Sequence, residues 1–119
     1  MTDAHIDTYY KSRFVFNKDR DIVWKEIIRF LKPFLKDAHT ILDLGAGYCD
    51  FINNITAQKK IAVDMSPELS RYAHEGIQLV NSLATDLSAV SDASVDVVFS
   101  SNLLEHLTDD ELVTCLSEV

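Results

Sequence analysis

The sequence predicts an α/β layered fold built on a parallel sheet, and three observations predict it. From residue 40 onward, short apolar runs alternate with helix-like segments, the order that gives a layered α/β domain. The runs are continuous rather than alternating in polarity, as strands covered on both faces are, and such strands belong to parallel sheets. Two glycines, Gly45 and Gly47, stand between the first run and the segment after it. That is how a strand–loop–helix turn that holds a nucleotide is written.

Each element has its own signal. Residues 1–18 are polar with interleaved aromatics, Tyr9, Tyr10, Phe14 and Phe16, at neither helical nor strand period. Residues 19–36 predict an amphipathic helix: Ile22, Val23, Ile27, Phe30 and Leu31 recur at spacings of three and four, and Trp24 and Ile28 widen the stripe. Pro33 is expected to end or kink it. "TILDL" (40–44) is the first strand, "CDFINNITA" a short helix, and "KIAVD" (60–64) the second strand. "SPELSRYAHE" predicts a helix with Ser66 as N-cap and Pro67 at its first position. "GIQLV" and "VDVVFSS" are the third and fourth strands. "TDDELVTCLSEV" closes the chain as a helix opened by a capping box of Thr108 and Glu111. There are no repeats, low-complexity segments or internal linkers, so residues 1–119 form one domain, with 1–36 as an N-terminal cap segment and helix.

Composition excludes several function classes. Of 119 residues, 47% are hydrophobic, enough for a core, and the formal net charge is −8 with Lys and Arg scattered. A nucleic-acid surface needs a basic footprint, so no nucleic-acid partner is expected. No apolar run approaches the roughly 20 residues of a membrane span, and the acidic, polar start is not expected to act as a signal peptide. Cys49 and Cys115 lie far apart without metal spacing, as in a reduced cytoplasmic protein. His5, His39, His74 and His106 show no pairing, so no metal site is expected.

The glycine loop carries the functional signal. Asp43 stands two residues before Gly45. A dinucleotide loop wants Gly or Ala at the position of Asp50 and sets a pyrophosphate on the helix N-terminus. Asp43 would repel that doubly negative ligand by kcal/mol-scale amounts. A ligand with a cationic group is attracted instead, and S-adenosylmethionine has an ammonium group, a sulfonium and a carboxylate. Asp64 follows Gly45 by 19 residues, where an acidic side chain accepts both hydroxyls of a ribose. NAD carries the same ribose, so Asp64 points to an adenosine cofactor without choosing between them. In "ATDLS", a carboxylate at Asp86 is placed to accept from an adenine amino group, with Leu87 over the ring.

In combination, "LDLGAG", "AVDMS", "ATDL" and "VDVVFSSNLLEHL" resemble the class I S-adenosylmethionine-dependent methyltransferases over residues 41–107. The resemblance implies a Rossmann-like sheet in the order 3-2-1-4, cut short before the last three of seven strands. It implies that Asp43 organises the cofactor's amino group and that Gly45, Gly47, Ser101 and Asn102 line the methionine part. Asp64 would bind the ribose and Met65 would pack on adenine, with Asp86 and Leu87 at its edge and face. Tyr9 and Arg13 of the cap would close over the cofactor carboxylate. Cys49 departs from the family's frequent third glycine.

Methyl transfer is a direct displacement, and a general base is needed only where the acceptor must lose a proton. His106, at the cleft end of the fourth strand, is the candidate. The expected function is methyl transfer to a small-molecule acceptor. The alternatives are an NAD-type oxidoreductase, which Asp43 and Asp50 disfavour, and a non-catalytic cofactor-binding fragment or assembly module. In the order 3-2-1-4 the fourth strand is an open edge, which predicts either contact between copies of the chain or a longer chain whose remainder covers that edge.

Overall fold

The computed structural model describes residues 18–119; the expectations placed on Tyr9 and Arg13 fall outside them. Helix α1 (Lys18–Leu35) leads into strand β1 (Thr40–Leu44), helix α2 (Asp50–Asn54), strand β2 (Lys59–Val63), helix α3 (Leu69–Tyr72), strand β3 (Gln78–Val80) and strand β4 (Val97–Phe99). A 3-10 turn over Leu104–His106 and helix α4 (Asp109–Glu118) follow. The sheet is parallel throughout, in the order β3-β2-β1-β4, as the sequence led us to expect.

Strand periodicity sorts the core into two layers. Ile41 of β1 and Ala62 of β2 face one way, into a cluster with Phe51, Ile52, Ile55, Leu69 and Leu35, against which Trp24, Ile28 and Leu31 of α1 pack. Leu42, Leu44, Ile61 and Val63 face the other way, onto Val80, Leu87 and Cys115 of α4. Asp43 alternates with Leu42 and Leu44, so it belongs to the layer that carries α1 and α2.

Three local expectations differ from the structure. The packed stripe of α1 is Trp24, Ile28, Leu31 and Leu35, whereas Ile22, Val23, Ile27 and Phe30 are exposed. The helix carries two adjacent apolar stripes and the sheet takes the one bearing Trp24, whose ring meets Phe51 and Phe99 edge-on at 6.5 and 6.1 Å. Pro33 lies inside the helix, which ends two residues later. Helix α3 is only one turn long, with Glu68 at its N-cap. Ser66 still starts the turn, its Oγ accepting the Glu68 N–H at 3.2 Å. The helix stops after Tyr72 because Asn53 clamps its end, donating to the Tyr72 carbonyl and accepting from the His74 N–H, both at 2.8 Å. The capping box of α4 forms as expected, with Thr108 Oγ1 accepting from the Glu111 N–H and Glu111 returning the bond.

Candidate functional site

The loop from Gly45 to Cys49 lies at the carboxyl end of β1, between its two sheet neighbours. Its start is tied down, because the N–H groups of Gly45 and Ala46 both donate to the Val63 carbonyl, at 2.8 and 3.0 Å. Gly45 has φ +80°, and a Cβ there would meet the Leu103 side chain at 3.2 Å, so both backbone and neighbour demand glycine. Gly47 and Cys49 also have positive φ, 57° and 64°. Cys49 thus occupies a left-handed position that a glycine would hold without strain.

Two recesses meet at Gly45, which lines both. The first, about 60 Å³, is lined by Asp43, Gly45, Gly47, Ser101 and Asn102 together with Arg20, Trp24, Tyr48, Asp50, Phe51 and Phe99. The second, about 30 Å³, is lined by Asp64, Met65, Ser82, Ala84 and Leu103. The fold therefore gathers seven of the sequence-nominated residues around one loop.

Asp43 is 3% exposed. Its carboxyl takes a hydrogen bond from the Ile52 backbone N–H, but burial, with the charges of Asp64 and Asp50, pushes its pKa up to about 8. The same desolvation, together with Asp43, holds the Cys49 thiol neutral, its pKa pushed up to about 12. Asp64 is equally buried. Its Oδ2 accepts the Gly47 N–H at 2.9 Å and its Oδ1 accepts the Ser66 N–H at 2.8 Å, so the carboxylate orders the loop beside it.

The remaining nominations lie elsewhere. Asp86 is exposed, and its Oδ1 accepts both the N–H and the hydroxyl of Ser88, which lowers its pKa. Leu87 is not available as a ring cover: its side chain is buried in the α4-side core and its N–H donates to Glu118 Oε1 at 3.3 Å. A loop leucine cannot face both core and ligand, and the core takes this one. His106 sits on the exposed 3-10 turn, its Nε2 3.7 Å from Glu105 Oε1, and lines neither recess.

Sequence reasoning missed the residues that α1 and β4 bring to the first recess. Arg20 reaches across to Asp50, placing Nε and Nη2 at 3.2 and 2.8 Å from one carboxylate oxygen, and lies over the Tyr48 ring. Phe99 stacks on Phe51 at 3.8 Å between ring centres. The i, i+4 spacing of Arg20 and Trp24 signalled a shared helix face, but not that this face meets the glycine loop.

A methyltransferase-domain family model matches residues 41–119. The chain belongs to this family. A comparison with curated proteins finds no match. Among solved structures, the methyltransferase domain is similar to an S-adenosylmethionine-dependent methyltransferase from Archaeoglobus fulgidus, at 26% identity and TM-score 0.68, over 95% of this chain and 50% of that one. It is also similar in fold to the PH0226 protein from Pyrococcus horikoshii, at 22% identity and TM-score 0.69, over 93% and 58% of the two chains. A third is the Burkholderia thailandensis 1,6-didemethyltoxoflavin N1-methyltransferase, solved with 1,6-didemethyltoxoflavin and S-adenosylhomocysteine, at 22% and 0.62, over 96% and 52%. The chain spans about half the length of these relatives. Its fold is that of the class I S-adenosylmethionine-dependent methyltransferases. Among the described residues no helix is long and apolar enough to cross a membrane, and no cluster of three or more metal-ligating side chains occurs.

The donor set fits S-adenosylmethionine. A carboxyl buried at Asp43, acted on by two further carboxylates, suits a cationic group and resists a phosphate. Glycine at position 45 lets Leu103 close against the loop while the Gly45 backbone lines both recesses.

Proposed function

We propose that this domain binds S-adenosylmethionine across the Gly45–Cys49 loop and serves methyl transfer to a small-molecule acceptor. The observation that carries this reading is the buried Asp43 carboxyl lining the first recess, on which, among the described residues, only carboxylate charges act. Asp43 takes the ammonium group, and Gly45, Gly47, Ser101 and Asn102 line the methionine chain. Asp64 accepts from the ribose hydroxyls, since a carboxylate offers about four acceptor sites. Met65, beside Leu103, packs on the adenine. When bound, the cofactor supplies the methyl group and its activated leaving group; the chain's own residues bind, orient and exclude water. Burial of the two unpaired thiols is in keeping with a reduced, cytoplasmic setting. His106 remains a candidate base only where an acceptor reaches the exposed 3-10 turn and must lose a proton.

Calorimetry tests the reading directly. S-adenosylhomocysteine should bind and NAD should not; equal affinity for the two would overturn it. Asp64→Ala should weaken S-adenosylhomocysteine by about 2–3 kcal/mol, since charged hydrogen bonds to two hydroxyls are lost.

A further inference from the structure

Among the described residues, Asp43 has no cationic partner. It faces a recess, is almost fully buried, and takes a single backbone hydrogen bond, from the start of α2. The groups around it come from every element packed there. Asp64 at the end of β2 and Asp50 at the start of α2 are both carboxylates that act on it. Cys49, in the loop, carries a neutral thiol. From α1, Arg20 is the one cationic side chain lining the recess among the described residues, and it is ion-paired to Asp50 at 2.8 Å. From the β4 side, Phe99, Ser101 and Asn102 bring no charge. An ionised Asp43 in such a place has lost its hydration and gained two repulsions for one hydrogen bond. The low-cost state of the ligand-free chain is the protonated carboxyl.

A cationic ligand reverses that balance. An ammonium group within hydrogen-bond reach replaces the proton as the positive partner, and the carboxylate then forms a charge-assisted pair. From this geometry we infer that the ligand's ammonium group and a proton compete for Asp43, so that binding of the cofactor's amino-acid end expels one proton from this side chain to solvent. The O–H bond of the Asp43 carboxyl breaks, the proton leaves to buffer, and the carboxylate pairs with the ammonium, which keeps its own three protons. No electrons move. The inference rests on the cofactor reading above and adds a regulatory property to the same site: affinity rises with pH through the neutral range, and it does so only for ligands that carry the ammonium group.

The experiment is titration calorimetry on the full chain at pH 6.5, in buffers of different ionisation enthalpy, with S-adenosylhomocysteine and with 5′-methylthioadenosine, which has the adenosine end but no amino acid. The slope of observed enthalpy against buffer enthalpy counts the protons exchanged. We expect about one proton released for S-adenosylhomocysteine and none for 5′-methylthioadenosine, with S-adenosylhomocysteine affinity rising close to tenfold per pH unit as the pH climbs toward 8. Asp43→Asn should abolish the slope while 5′-methylthioadenosine binding persists, which also proves the variant folded. Difference infrared spectra should show a protonated-carboxyl band lost on binding in the wild type and absent from Asp43→Asn. If S-adenosylhomocysteine binds with no proton released, or if the slope survives in Asp43→Asn, the proton competition is overturned and the cofactor reading stands. If neither adenosine ligand binds, the cofactor reading itself falls.

Discussion

At the scale of single residues, the site is assembled from side chains that the fold alone would not choose. Asp43 occupies a strand position between Leu42 and Leu44, in a layer otherwise filled by Phe51 and Ile52. Between about 3.8, its ordinary pKa, and about 8 the folded chain holds a proton that the unfolded chain has given up. Stability therefore falls as pH rises through that window. Asp43→Asn, which keeps the size and the acceptor for the Ile52 N–H, should raise the melting temperature of the ligand-free chain, with a gap that widens from pH 5 to pH 8. A gain of up to about 5 kcal/mol at pH 7.5 is expected, given about 1.4 kcal/mol for each pH unit above the ordinary pKa. A melting temperature unchanged across that range would show that the buried carboxyl costs nothing. The same variant should lose S-adenosylhomocysteine affinity. Cys49→Gly should not: relief of the left-handed backbone, about 1–2 kcal/mol, roughly offsets the loss of a fully buried thiol at about 25 cal/mol per Å². Similar binding losses in the two variants would remove the ammonium role from Asp43.

At the scale of elements, most of the architecture was legible because each strand is a continuous apolar run and each turn carries its own punctuation. The two layers follow from period two, and the start of α4 follows from Thr108 and Glu111. Thr108→Ala should cost about 1 kcal/mol, the usual worth of an N-cap, measured by chemical denaturation; Glu111→Gln, which keeps the reciprocal bond, should cost less. An equal cost for both would mean that charge at the helix start, rather than the hydrogen-bonded box, stabilises this end. What the sequence could not reveal is which of two apolar stripes on α1 faces inward. Both have helical spacing, and only the encounter of Trp24 with Phe51 and Phe99 selects between them. Arg20 was invisible for the same reason, since its partner Asp50 lies 30 residues away. Leu87 looked like a ring cover because a leucine beside a loop aspartate has no local sign that the α4 layer claims it.

At the scale of the whole molecule, one side of the domain has apolar surface and open backbone together. Among the described residues β4 is an edge of the sheet, with Val98 partly exposed on it. Val113, Leu116 and Val119, in and just after α4, are 65%, 58% and 61% exposed. A strand edge offers unpaired N–H and C=O groups, and native proteins rarely leave one bare next to exposed β-branched and leucine side chains. The solved relatives carry about as much chain again beyond what this one matches. The 119-residue chain on its own should therefore self-associate through the β4 side, which light scattering after size exclusion would detect as a mass above the 13.4 kDa monomer that grows with concentration. Val98→Lys should return the mass toward the monomer, since a charge beside an edge strand opposes strand addition, and it lies away from both recesses at Gly45, so S-adenosylhomocysteine binding should persist. A wild-type chain that stays monomeric at high concentration would mean that this edge is covered within the chain itself, leaving no pairing surface for a second copy.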